Sequence, residues 1–162
     1  MRTRSVPRVC CLVVVALLAA GCGAASGHGA APMHSLQLRL VTSSTAGTCS
    51  APPLTTDGPG SACDREGTTT YVLGKSLGTV TPTSVTTQGH GVHVEMDKTG
   101  VDTMREVSTS AVDKQVAILL DGTVLAAPVV HEPLTTGSLE LALPTPSEAD
   151  TVAAELRGTA TP

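Results

Sequence analysis

Cysteine and histidine are the residue types in this chain best suited to chemistry, and the 162 residues hold five of each. Cys49 and Cys63 lie 14 residues apart. In an oxidising compartment such a pair can close a disulfide. The intervening loop contains Pro52, Pro53, Asp57, Gly58, Pro59 and Gly60 and few side chains able to pack. A covalent staple would order it, with a loop-entropy contribution of about 3 kcal/mol. The rival chemistry is a redox or metal pair, which this separation supports poorly because there is no Cys-x-x-Cys spacing. Among the histidines, His28 and His34 flank a small-residue stretch, and His131 stands alone beside Glu132. His90 and His93 are three apart, which on a strand puts them on opposite faces. A zinc site needs three or four converging ligands, so no metal site is expected and the histidines read as surface residues. No Gly-x-Ser-x-Gly elbow marks a hydrolase nucleophile, and Gly74, Gly78, Gly89 and Gly91 read as turns rather than a phosphate loop. The expectation is therefore no catalytic residue and no cofactor.

The first 21 residues set the compartment. Arg2, Arg4 and Arg8 precede an apolar run over residues 9–20. That run is shorter than the roughly 20 residues a membrane span requires. A basic start, a short apolar stretch and small residues read as a secretory signal. Leu18-Ala19-Ala20-Gly21-Cys22 resembles a bacterial lipobox, although Ala19 stands three residues before the cysteine where leucine is usual. The resemblance implies cleavage before Cys22 and a diacylglyceryl group on its thiol. The other reading is an ordinary signal peptide followed by an incidental cysteine. Cys10 and Cys11 would leave with the signal. The expected organisation is a signal over residues 1–21, a tether over residues 22–34 and one domain over residues 35–162. The expected location is the extracytoplasmic face of the cell membrane, held by lipid.

Composition narrows the partners. Losing residues 1–21 removes three of the ten basic residues and none of the 14 acids, leaving a net charge of −7. Nucleic acid calls for a basic patch and is not expected as a partner. Anionic lipid would find no polybasic segment, so membrane attachment falls to acyl chains on Cys22. Tyr71 is the sole aromatic residue. The core must be aliphatic, and stacking platforms for bases or sugars are not expected.

The elements that would position a site follow from periodicity. Residues 35–42 (SLQLRLVT) alternate, with Leu36, Leu38 and Leu40 on one face and Gln37 and Arg39 on the other, as in a half-buried strand. Residues 43–69 read as a long polar loop, and residues 70–73 as a short strand. Val92, Val94 and Met96 alternate with polar residues in another strand. Thr99 is the expected cap of a helix whose apolar stripe is Val101, Met104 and Val107. Residues 115–120 (QVAILL) form an apolar strand, Asp121-Gly122 a hairpin turn, and residues 123–130 the returning strand. Pro128 places that strand at an edge, a bulge or its own end. Residues 137–143 (GSLELAL) form a further strand. Thr145, Pro146 and Glu148 start a helix whose stripe is Ala149, Val152, Ala153 and Leu156, with Gly158 ending it. The fold class is α+β, a small and mostly antiparallel sheet with two helices packed on one face.

Residues 115–141 (QVAILLDGTVLAAPVVHEPLTTGSLEL) resemble the head subdomain of the first periplasmic domain of SecD and SecDF. The shared pieces are Leu120-Asp121-Gly122, Ala127-Pro128 and the turn Glu132-Pro133-Leu134-Thr135-Thr136-Gly137, with Thr136 where the family has glycine. Glu148-Ala149 and Leu156-Arg157 match the closing helix, and the likeness covers roughly residues 80–161. It implies the SecD-head fold and a habit of binding polypeptide. The membrane helices with which SecD uses a proton gradient have no counterpart after the signal, so the motor is not expected.

The candidate partner-binding residues are His131, Glu132, Pro133 and Leu134, exposed between two strands where a scaffold commonly carries its binding loops. The bland alternative is a connection whose sequence serves only the turn. An edge strand near Pro128 could also accept an extended peptide by strand addition. The expected function is that of a non-enzymatic interaction lipoprotein, binding polypeptide or an envelope or translocase protein near protein export. The alternative is an envelope hydrolase or metal-binding lipoprotein.

Overall fold

A computed structural model describes residues 32–159. The expected signal, Cys22 and most of the tether lie outside them. In chain order the elements are β1 (Leu36–Ala46), β2 (Gly60–Cys63), β3 (Thr69–Val80), β4 (Pro82–Gln88), β5 (Gly91–Met96), α1 (Lys98–Ser110), β6 (Val116–Leu120), β7 (Thr123–Ala126), β8 (Ser138–Ala142) and α2 (Pro146–Leu156). They form two antiparallel sheets, of order β2-β3-β1-β6-β7 and β4-β5-β8, instead of the single sheet expected. The chain passes between the sheets three times: at Thr81 after β3, through α1 between β5 and β6, and through residues 127–137. No helix among the described residues is long and apolar enough to cross a membrane.

The apolar run of β6 is buried at all five positions because the strand separates two cores. Val116, Ile118 and Leu120 point into the larger one, with Leu36 and Leu38 of β1, Val92 and Val94 of β5, Met104 and Val107 of α1 and Val152 and Leu156 of α2. Ala117 and Leu119 point the other way, joining Ala62, Leu73 and Val124 in a smaller core. The five-stranded sheet curls around that second core until Asp64, just after β2, forms a parallel bridge with Val124 of β7. Helix α1 packs on β3 and β5, and α2 on β4 and β5.

Local chemistry accounts for the turns. Asp121 and Gly122 have φ of 49° and 83°, and Leu120 pairs with Thr123 across them. Positive φ at both central residues gives the two-residue hairpin that Asp-Gly favours. Gly122 is also required sterically, since a Cβ there would lie 2.5 Å from the Leu54 nitrogen. For α2, the Thr145 Oγ1 accepts from the Glu148 N–H at 3.2 Å and donates to the Glu148 carboxylate at 3.0 Å. For α1, the cap is Asp97 and not Thr99: the Asp97 carboxylate accepts from the Gly100 N–H at 2.8 Å. Aspartate is the stronger cap. It also puts Gly100 under Val80 and Met96, whose atoms would lie 3.1 and 3.0 Å from a Cβ.

Residues 43–69 are not one long loop. β1 runs on to Ala46 and β2 occupies Gly60–Cys63, both paired to β3. The polar composition there reflects exposure of the outer half of β1, not absence of structure. β3 is likewise longer than the expected 70–73, continuing through Gly74 and Gly78, so these two glycines are strand residues. β4 contains no simple alternation and was not foreseen as a strand. A disulfide joins Cys49 to Cys63, with the two Cα atoms 5.7 Å apart.

Arg39 departs furthest from the alternating pattern. It was expected on a polar face and is fully buried. Its guanidinium donates to Gln37 Oε1 at 2.7 Å and to the carbonyls of Gly58 and Gly74 at 2.6 and 3.0 Å. It also donates to the carbonyl of Thr56. Burial pushes its pKa below the ordinary arginine value, and nearby Asp57 opposes that shift. The segment before β2 thus lies across β1 as a strap. Leu54 fixes its middle, donating from its N–H to the Gly122 carbonyl at 3.0 Å and packing on the second core.

Candidate functional site

β7 and β8 are the last strands of their respective sheets; the outer edge of β7 meets Asp64 at Val124, and from Ala126 onward the chain lies across a hollow from β8. Among the described residues no backbone hydrogen bond joins β7 to β8. Pro128 interrupts the ladder on the side of β6. The returning strand expected over residues 123–130 ends as β7 at Ala126, after a register shift against β6. Pro128 has no N–H to offer a ladder, but its carbonyl accepts from the Val116 N–H at 2.9 Å. Val130 then resumes the pairing by donating to the Lys114 carbonyl at 2.9 Å. The chain stays pinned to β6 on one side and leaves its other side open.

The opening is an apolar groove made of adjoining hollows. A hollow of about 340 Å³ lies between Ala126, Ala127 and Pro128 on one wall and β8 residues Leu139, Glu140 and Leu141 on the other. A second, of about 250 Å³, continues along Val129, Val130, His131, Glu132 and Leu134. Pro128 and Leu139 line both, and also a small inner hollow of about 40 Å³ floored by Leu38, Met104, Val116 and Ile118. Val129 and Leu134 are exposed to 48% and 36%, among the most exposed large apolar side chains described.

The family-motif residues separate by role. Leu120 is core, Asp121 and Gly122 are the hairpin turn, and Ala127 and Pro128 form the groove wall. Gly137 fixes the groove's far end, its carbonyl accepting from the Met96 N–H at 3.0 Å. Of the four candidate binding residues, His131, Glu132 and Leu134 line the groove, and Pro133 is exposed beside it. The segment bearing them is not a hairpin connection, because β7 and β8 belong to different sheets.

Two groove residues escaped the sequence reading. Ser108 is buried on α1, where its Oγ accepts from the Leu134 N–H at 2.8 Å and donates to the Arg105 carbonyl at 3.2 Å. It therefore ties the exposed segment to the helix. The signal was there: Ser108 follows Met104 by four and so shares its face. Glu140 is exposed on β8 and lines both outer hollows.

The histidines among the described residues are dispersed, and His28 lies outside those residues. His34 Nδ1 lies 3.1 Å from Asp121 Oδ2, His90 Nδ1 lies 3.1 Å from the Pro144 carbonyl, and His93 Nε2 lies 4.0 Å from Glu95. His90 sits in the turn before β5, so the pair does not share a strand. No group of three or more metal-ligating side chains occurs among the described residues. Away from the groove, Arg65 makes a two-pronged pair with Glu155 of α2 at 2.7 and 3.0 Å, and hydrogen bonding to Glu155 raises its pKa.

Two antiparallel sheets with two helices, the last strand of the smaller sheet following an Asp-Gly hairpin and Pro128, define an α+β domain of SecD-head type. Residues 60–162 match the SecDF P1 head subdomain family, and the chain belongs to it. The match begins about 20 residues before the resemblance read from motifs, taking in β2 and β3. The fold is similar to a structure of SecDF, a membrane component that enhances protein export, with a TM-score of 0.53 at 21% identity. That comparison covers 81% of this chain and 65% of the other. SecDF in its super-membrane-facing form is similar at the same TM-score and identity, over 81% of this chain and 20% of the other. This chain thus spans less than two thirds of either protein's length. No curated protein matches the chain.

Proposed function

We propose that this protein is a lipid-anchored extracytoplasmic binding protein, whose head domain holds extended polypeptide close to the site of protein export. The observation that carries the reading is the apolar groove between the unpaired edge strand β8 and the segment that follows β7. Alternate residues of an antiparallel strand turn their N–H and C=O groups away from the neighbouring strand. On an edge those groups are free to pair with an added chain, and side-chain hollows beside them add apolar contact. Export enters through SecDF, which shares the fold, and the anchor through Cys22 behind a signal-like start. No catalytic or cofactor role is assigned.

The test is crosslinking in intact membranes from a photoreactive residue in place of Leu134. Capture of translocase subunits or of exported chains in transit is expected. Capture no greater than from the same residue placed in the tether contradicts the reading. Capture of one unrelated envelope protein would keep a binding role and discard export.

A further inference from the structure

The groove's charge says which polypeptides it suits. Its floor and walls are aliphatic, and the charged side chains lining the two outer hollows are Glu132 and Glu140. Among the described residues no lysine or arginine lines either hollow, and His131 is the remaining titratable side chain there. Lys114, on the segment paired to Val130, turns its ammonium to the Ser110 carbonyl at 3.4 Å, on α1. Glu140 is shared by both hollows, and its carboxylate sits over Gly91, where a Cβ would meet Oε1 at 2.7 Å. Glu132 and Glu140 are thus the acidic side chains along an apolar trough, Glu140 standing on β8 and leaning over its neighbour β5.

Resting on the polypeptide-binding reading, we infer that the groove selects extended segments in which lysine or arginine is set among small apolar residues, and disfavours acidic segments. The apolar residues fill the hollows around Pro128 and Leu139. The basic side chain reaches Glu140 or Glu132, its aliphatic stem lying along the walls as long cationic side chains do. An acidic segment would bring like charges together at the same place.

The experiment uses the full chain in detergent micelles and three labelled 12-residue peptides of alternating valine and serine. The peptides carry two lysines, two glutamines or two glutamates at matched positions, and binding is read by fluorescence anisotropy. At low salt the lysine peptide is expected to bind about three- to tenfold more tightly than the glutamate peptide, with glutamine between, as partly exposed pairs give about two- to fivefold each. In the double variant E132Q/E140Q the order should collapse, and salt should compress it in the wild type. Equal binding of all three peptides, or a lysine preference that survives in E132Q/E140Q, overturns the charge selection and leaves polypeptide binding standing. Failure of all three to bind overturns both.

Discussion

The two cores of this domain are held by different physics. The larger is a conventional aliphatic interior, walled by both sheets and both helices. Each of its members removes apolar area from water, and a fully buried valine or leucine contributes roughly 1.5–3 kcal/mol. The smaller, inside the curled sheet, has only five fully buried apolar residues, two of them alanine. Aliphatic burial there is slight, and other ties surround it: the Arg39 fork on the strap, the Cys49–Cys63 disulfide, and Arg65 bridging to Glu155 of α2. A chain with a single aromatic residue fills one core well and secures the other with polar and covalent links.

Substitutions sharpen this contrast. Leu156→Ala, in the larger core, should cost about 2–5 kcal/mol of global stability, read as one cooperative shift in a denaturant melt. Replacing Cys49 and Cys63 with serine should cost about 3 kcal/mol. Here proteolysis should cut first within residues 50–59, before global unfolding. If both changes gave the same single transition, with no early cut in the strap, the two cores would be one energetic unit and the contrast would fail.

The smallest effect concerns acid. Burial pushes the Asp64 pKa up, but hydrogen bonds from the Thr68 hydroxyl and the Thr68 and Thr69 N–H groups outweigh it and hold the carboxyl below the usual aspartate range. Its contribution to stability is complete above the ordinary value of about 4 and is lost as pH falls through the lowered one. The stability gap between wild type and Asp64→Asn should close on acidification. A gap that widened in acid would contradict this assignment.

The same division explains what the residues revealed in advance. The larger core was legible because period-two and period-3.6 patterns report one buried face: Leu36 and Leu38, Val92 and Val94, Met104 and Val107 all face as expected. The Asp-Gly hairpin and the Thr145 cap were legible because their chemistry is local. Arg39 was misread because the same alternation assigns its face to solvent, and only a strap arriving from residues 54–58 covers it. The split into two sheets was hidden for a related reason: strand pairing is a non-local choice. The groove was half legible. Its exposed segment was located from His131, Glu132 and Leu134, but the opposite wall at Leu139 and Glu140 comes from another sheet. The support at Ser108 comes from α1.

The most direct test of the account is an amide NMR titration of the full chain in micelles with an unfolded, lysine-bearing peptide. The account predicts shifts and exchange protection concentrated in β8, Ser138–Ala142, and around Pro128 and Leu134, with the second core silent. Saturating peptide that leaves the β8 amides unmoved would contradict the groove as a polypeptide site.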